Sequence, residues 1–133
     1  MRDLASPLRE WIAEGRPFAL ATVVETDGSA PRAPGASMAV ARGPVIVGDV
    51  SGGCVETAVV EICLEVLEYG SSRIARFGVS DEQAIEVGLT CGGELEVFVR
   101  RIDTGAGDVL DVALAAVETG EAVAVADVLA EGT

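Results

Sequence analysis

Every helix that the sequence predicts runs into a glycine, and this punctuation limits the fold more than any other feature of the chain. Helical patterns stop at Gly15, Gly70, Gly88 and Gly120, because glycine accepts the left-handed backbone that closes a helix. The first pattern opens at Ser6-Pro7, read as N-cap and first helical position, with Leu8, Trp11 and Ile12 on one face. The second runs from about Cys54 to Tyr69, with Val55, Val59, Ile62, Cys63, Val66 and Leu67 at helical spacing. Ser80 with Gln83 is a capping-box signal for a third, short helix, and Asp108 caps a fourth that reaches Thr119.

Strand signals fill the intervals. Phe18–Glu25 is a buried strand, and Ala36–Ala41 with Val45–Asp49 forms a hairpin around Arg42-Gly43-Pro44. Arg73–Val79 and Val123–Leu129 are strands, and Glu94–Arg100 alternates with Leu95, Val97 and Val99 inward. The expected fold class is α+β: a mixed β-sheet packed with helices in a single domain over residues 1–133, of which 105–133 make a helix-strand extension. No GxGxxG pattern opens the first strand-helix unit, so a Rossmann nucleotide site is not indicated. Gly15–Ala21 and Gly120–Ala126 share a layout, for which an ordinary helix-to-strand connection is a simpler account than a repeat.

Composition closes off most chemistry. Half of the 133 residues are apolar, enough for a real core. A net charge of −13 argues against nucleic acid and anionic membranes as partners, and no apolar run reaches the roughly 18 residues of a membrane span. The early acidic residue Asp3 and the lack of an apolar signal core leave nothing that marks the chain for export. Three cysteines do not make a disulfide framework, so a reducing cytoplasm is expected. All nine basic residues are arginine, and histidine is absent. Schiff-base and P-loop lysines, Ser-His or Cys-His pairs and histidine metal sites are thereby excluded.

What remains is thiol, carboxylate, arginine, hydroxyl and backbone amide. Two cysteines sit beside glycine pairs, in Ser51-Gly52-Gly53-Cys54-Val55-Glu56 and Thr90-Cys91-Gly92-Gly93-Glu94, where glycine lets the backbone approach a ligand closely. Cys54 falls at the first turn of the second predicted helix, and a helix N-terminus lowers a thiol pKa. The Ser-Gly-Gly before it has the makings of an amide nest for an oxyanion; a tight strand-to-helix turn is the alternative. Cys91 leads into a strand, so no dipole argument applies to it, and its glycines also suit a bulge. Cys63, between Ile62 and Leu64 on the apolar helix face, is assigned to the core. Arg32, flanked by Pro31 and Pro34 in the stiff loop Asp27–Gly35, has a donor fork suited to an oxyanion, or is simply solvated. Glu56 reads equally as a dipole-favoured surface residue or as an acid or base, and Asp49 as a residue that orients the Ser51 loop. With no CxxC spacing, a zinc site needs carboxylates or a second subunit.

Together, Asp27-Gly-Ser-Ala-Pro-Arg-Ala-Pro-Gly35, Gly48-Asp-Val-Ser-Gly-Gly-Cys-Val-Glu56 and Gly88-Leu-Thr-Cys-Gly-Gly93 resemble the XdhC/CoxI family, accessory proteins of xanthine dehydrogenase and related molybdenum hydroxylases. The resemblance covers about Leu8 to Arg101. It implies a chaperone that binds molybdenum cofactor (molybdopterin) transiently, assists its sulfuration with a cysteine desulfurase, and delivers it to the apo molybdenum hydroxylase of xanthine dehydrogenase or CO dehydrogenase type. Carried onto matching positions, it makes Cys54 and Cys91 the cofactor or sulfur contacts, Ser51, Gly52, Gly53, Gly92 and Gly93 loop amides, and Arg32 an anion contact. Many family members carry a C-terminal Rossmann-like domain, and no such domain is expected within residues 1–133; a stand-alone short form, a separately encoded Rossmann-like partner and a piece of a longer chain are the alternatives, and a homodimer is a further expectation. The leading expectation is a chaperone without turnover. The alternatives are a sulfurtransferase with a persulfide on Cys54 and a docking or regulatory subunit whose thiols are structural.

Overall fold

A computed structural model describes residues 2–27, 33–51, 55–78, 94–103 and 109–120. Its elements are α1 (Arg2–Glu14), β1 (Phe18–Asp27), β2 (Ser37–Ala41), β3 (Val45–Gly48), α2 (Glu56–Tyr69), β4 (Arg73–Phe77), β5 (Glu94–Ile102) and α3 (Val109–Thr119). The strands form one sheet in the order β3-β2-β1-β5-β4.

Strand alternation splits the apolar side chains between two faces, as the two-residue period requires. Ala19, Ala21 and Val23 of β1, Met38 and Val40 of β2 and Leu95, Val97 and Val99 of β5 face α2, which meets them with Val59, Cys63, Val66 and Leu67. Phe18, Leu20, Ala39, Ala41 and Ile102 pack on the opposite side with Leu4, Leu8 and Trp11 of α1 and Leu110 and Leu114 of α3. The result is three layers, with one helix below the sheet and two above. Small residues in β1 and β2 let the helices approach closely, and the Trp11 and Phe18 rings meet in a tilted pair, centroids 5.4 Å apart, where α1 turns into β1.

The α+β class stands, but every pairing among the described strands is antiparallel, so the sheet is not mixed. The crossover explains this. β3, α2 and β4 form a strand-helix-strand unit whose strands point the same way, yet they occupy opposite edges of the sheet, three strands apart. No parallel pair therefore arises among the described strands.

Several boundaries differ from the sequence expectation. Helix α1 begins at Arg2 and contains Pro7, because Leu4 and Ala5 are buried in register with Leu8 and Trp11, and that burial outweighs one missing hydrogen bond. Helix α2 begins at Glu56, with Val55 as its N-cap. Strands β1 and β5 run longer, to Asp27 and Ile102, because each is the other's ladder partner. Gly70 closes α2 as expected, at φ +80 with its N–H donating to the Val66 carbonyl. The helix of the 105–133 extension is α3, and it belongs to the core through Leu110 and Leu114. The short helix at Ser80–Gly88, the strand at Val123–Leu129 and Asp108 lie outside the described residues. None of the described helices is long and apolar enough to cross a membrane.

Candidate functional site

Strand direction gathers the ends of the three motif segments. β1 ends at Asp27 where the proline loop departs, and β2 begins at Ser37 where it returns. β3 ends at Gly48, where the Ser-Gly-Gly-Cys segment begins, and β5 starts at Glu94, directly after Cys91-Gly-Gly. With alternating strand directions, all of these ends lie on one end of the sheet, together with the N-terminus of α2.

The Gly48–Glu56 segment is built from inside. Gly48 sits at φ +78, and a Cβ there would press into the Ser37 carbonyl oxygen and Leu4 Cδ2, so both backbone angle and space demand glycine. Two residues on, Val50 is fully buried and anchors the strand exit in the α2-facing core. Glu56, the first residue of α2, reaches backward: its Oε2 accepts the Val50 and Ser51 amides at 2.9 Å each, and its Oε1 accepts the Ser51 hydroxyl. The Ser51 hydroxyl oxygen in turn accepts the Val55 amide at 3.0 Å. The residues that flank Gly52-Gly53-Cys54 in the chain are thus tied to each other.

This network gives Ser51 a specific role. The residue is 1 % exposed, its amide and hydroxyl proton are committed to Glu56, and its oxygen serves Val55. It shapes the loop from within. The carboxylate also occupies the place where a helix N-terminus most favours an anion. Glu56 is therefore the residue that sequence reasoning undervalued. A carboxylate five positions after a serine has no reading of its own until the chain turns and brings the two together.

The returning limb of the proline loop is held against β1. Gly35 donates to the Val23 carbonyl at 2.7 Å, Val23 donates to Ala36 at 2.9 Å, and Ser37 Oγ donates to the Gly35 carbonyl at 3.1 Å. Arg32, Gly52, Gly53, Cys54, Cys91, Gly92 and Gly93 lie outside the described residues. The start of α2 at Glu56 puts Cys54 two residues before the first helical residue instead of in the first turn. Asp49 follows the end of β3 and is half-buried. Cys63 is fully buried, as assigned, and burial pushes its thiol up to about 12. Among the described residues no cluster of three or more ligating side chains could hold a metal ion.

The family model of the XdhC and CoxI family matches residues 11–78, just over half of the chain. The chain belongs to the XdhC and CoxI family. The match includes the proline loop and the Gly48–Glu56 segment and stops short of Gly88–Gly93. Among curated relatives, the uncharacterized protein YqeB of Escherichia coli K12 is 37% identical over 123 residues, covering 86% of this chain and 23% of YqeB. The molybdenum cofactor insertion chaperone PaoD of the same organism is 34% identical over 93 residues, covering 70% of this chain and 29% of PaoD. Among solved structures, a xanthine dehydrogenase from Bacillus halodurans superimposes with a TM-score of 0.64 at 25% identity, over 86% of this chain and 34% of that one. The chain thus spans about a quarter of the length of the curated relatives it matches.

Proposed function

We propose that this XdhC/CoxI domain is a molybdenum-cofactor accessory: it takes the cofactor as cargo at the loop end of the sheet, assists its sulfuration, and hands it to a molybdenum hydroxylase of the xanthine dehydrogenase type. The observation that carries this reading is the Ser51–Glu56 clamp. A buried serine and a carboxylate tie together the residues on either side of Gly52-Gly53-Cys54, as expected where a thiol must be presented in one position. Family membership and the likeness to PaoD support the cargo. In this reading Cys54 and Cys91 contact the cofactor or its sulfur, the amides of the glycine pairs and Arg32 receive its phosphate, and Ser51 and Glu56 position the loop. The setting is the cytoplasm, where thiols stay reduced, and a cysteine desulfurase is the sulfur source.

The test mixes purified protein with molybdenum cofactor released from a molybdenum enzyme and measures the pterin that co-elutes. Wild type retains cofactor, and Cys54→Ala weakens retention at least about tenfold, equivalent to about 1.4 kcal/mol. Equal retention by wild type and by Cys54→Ala/Cys91→Ala sinks the thiol contact. Incubation with a cysteine desulfurase and cysteine, followed by mass spectrometry, separates carriage of cofactor from carriage of sulfur. A persulfide adds one sulfur atom, about 32 Da, to Cys54.

A further inference from the structure

At the end of α2 opposite Ser51, three arginines meet where the sequence offered no motif. Arg42 follows directly on β2, Arg16 lies two residues before β1, and Arg101 is the penultimate residue of β5. These strands are neighbours, with Phe18 opposite both Ala41 and Ile102, so the register brings the three side chains to one edge of the molecule. They line a pocket of about 250 Å³ with Pro17 and Leu67. Arg101 Nη1 donates to the Leu67 carbonyl at 3.0 Å, and Arg42 Nη2 approaches the same oxygen at 3.5 Å. Arg16 lies 6.0 Å over the Trp11 ring.

Capping of the α2 C-terminus explains part of this. The last turn of α2 has no basic residue of its own, and a cation from a neighbouring strand satisfies its terminal carbonyl. One guanidinium suffices for that. Two converge on one oxygen, and a third stands beside them without touching the helix. In a chain with 22 acidic and nine basic residues, the described Arg9, Arg73, Arg76 and Arg101 each pair with a carboxylate. Arg16 and Arg42 have no carboxylate partner among the described residues. Arg101 is partly neutralised by Asp103 at 2.8 Å, and the two unpaired forks beside it, in a protein of net charge −13, form a local site for an anion and not a general attraction.

We infer that Arg16, Arg42 and Arg101 bind a small oxyanion of at least two negative charges, of the phosphate-ester or pyrophosphate class. Helix α2, with 14 residues, separates this pocket from the Ser51–Glu56 clamp by about 20 Å at 1.5 Å per residue. The site is therefore distinct from the proposed cargo loop and does not depend on it.

Isothermal titration of the purified chain with inorganic pyrophosphate, at low and constant ionic strength, tests the assignment. Saturable one-to-one binding is expected, weakened at least about tenfold in Arg16→Gln and in Arg42→Gln, and unchanged in Arg73→Gln, whose arginine pairs with Glu65 on the other side of α2. Arg16→Gln removes no hydrogen bond to the helix, so loss of binding in that variant, with an unchanged melting temperature, is not a folding effect. No saturable binding by the wild type, or equal weakening by Arg73→Gln, overturns the inference.

Discussion

The two ends of helix α2 both carry the charge that the helix dipole favours, but they use it differently. Its N-terminus, where unpaired amides draw an external anion, is filled by the protein's own Glu56, which also binds the Val50 and Ser51 amides. Its C-terminus, where a single cation would satisfy the last carbonyls, carries two guanidiniums with a third beside them. The first end is closed and internally satisfied, and it serves to fix a loop. The second is open and over-supplied with charge, and it serves to receive something. A helix dipole therefore says little about where a ligand binds until the neighbouring side chains have been placed.

The sharpest way to break the closed end is Gly48→Ala. The added methyl meets the Ser37 carbonyl oxygen and Leu4 at a backbone angle of φ +78, and a loss of about 2–4 kcal/mol is expected in urea denaturation. Glu56→Ala comes next. It strands two amides and the Ser51 hydroxyl, costing about 2–3 kcal/mol, and it should lower cofactor retention although Glu56 does not contact the cofactor in the proposed arrangement. Retention unchanged in a folded Glu56→Ala protein would separate the clamp from cargo binding.

Between the two ends, Cys63 gives a pH test of the core. Burial holds its thiol near 12 against an ordinary 9.0, so the folded state keeps a proton that the unfolded chain releases. The associated stability is intact below pH 9 and declines as pH rises toward 12, at up to about 1.4 kcal/mol per pH unit. Native thiol titration at pH 8 should leave Cys63 unmodified, and Cys63→Ala should flatten the alkaline decline. The smallest effect is expected from Arg9→Ala. Its 2.8 Å pair with Glu118 joins α1 to α3 at the surface, and solvent screening limits its loss to less than about 0.5 kcal/mol in the same denaturation assay. A larger loss would mean that the α1–α3 layer depends on charge more than on Leu4, Leu8, Leu110 and Leu114.

Much of the architecture is legible locally. The alternation of Leu95, Val97 and Val99, the spacing of Val59, Cys63 and Val66 and the stop at Gly70 are read correctly because period and φ preference act within a few residues. The start of α1 is misread because Ser6-Pro7 is a strong local signal, overridden by burial of Leu4 and Ala5 against distant strands. The antiparallel sheet is missed for a similar reason. Strand order depends on which edge the β3–α2–β4 crossover reaches, and no local pattern encodes that.

Sequence alone narrowed the available chemistry, since the chain holds neither histidine nor lysine, and it determined the family, through motifs contiguous in the chain. The roles of Glu56 and the arginines come from packing between separate segments of the chain. Ser51 and Glu56 meet across five positions of the chain, at the junction of the β3 exit and the start of α2. Arg16, Arg42 and Arg101 meet because β1 begins where its antiparallel neighbours β2 and β5 end. A charge takes its role from the charges and dipoles within a few ångströms, and those neighbours are set by strand register.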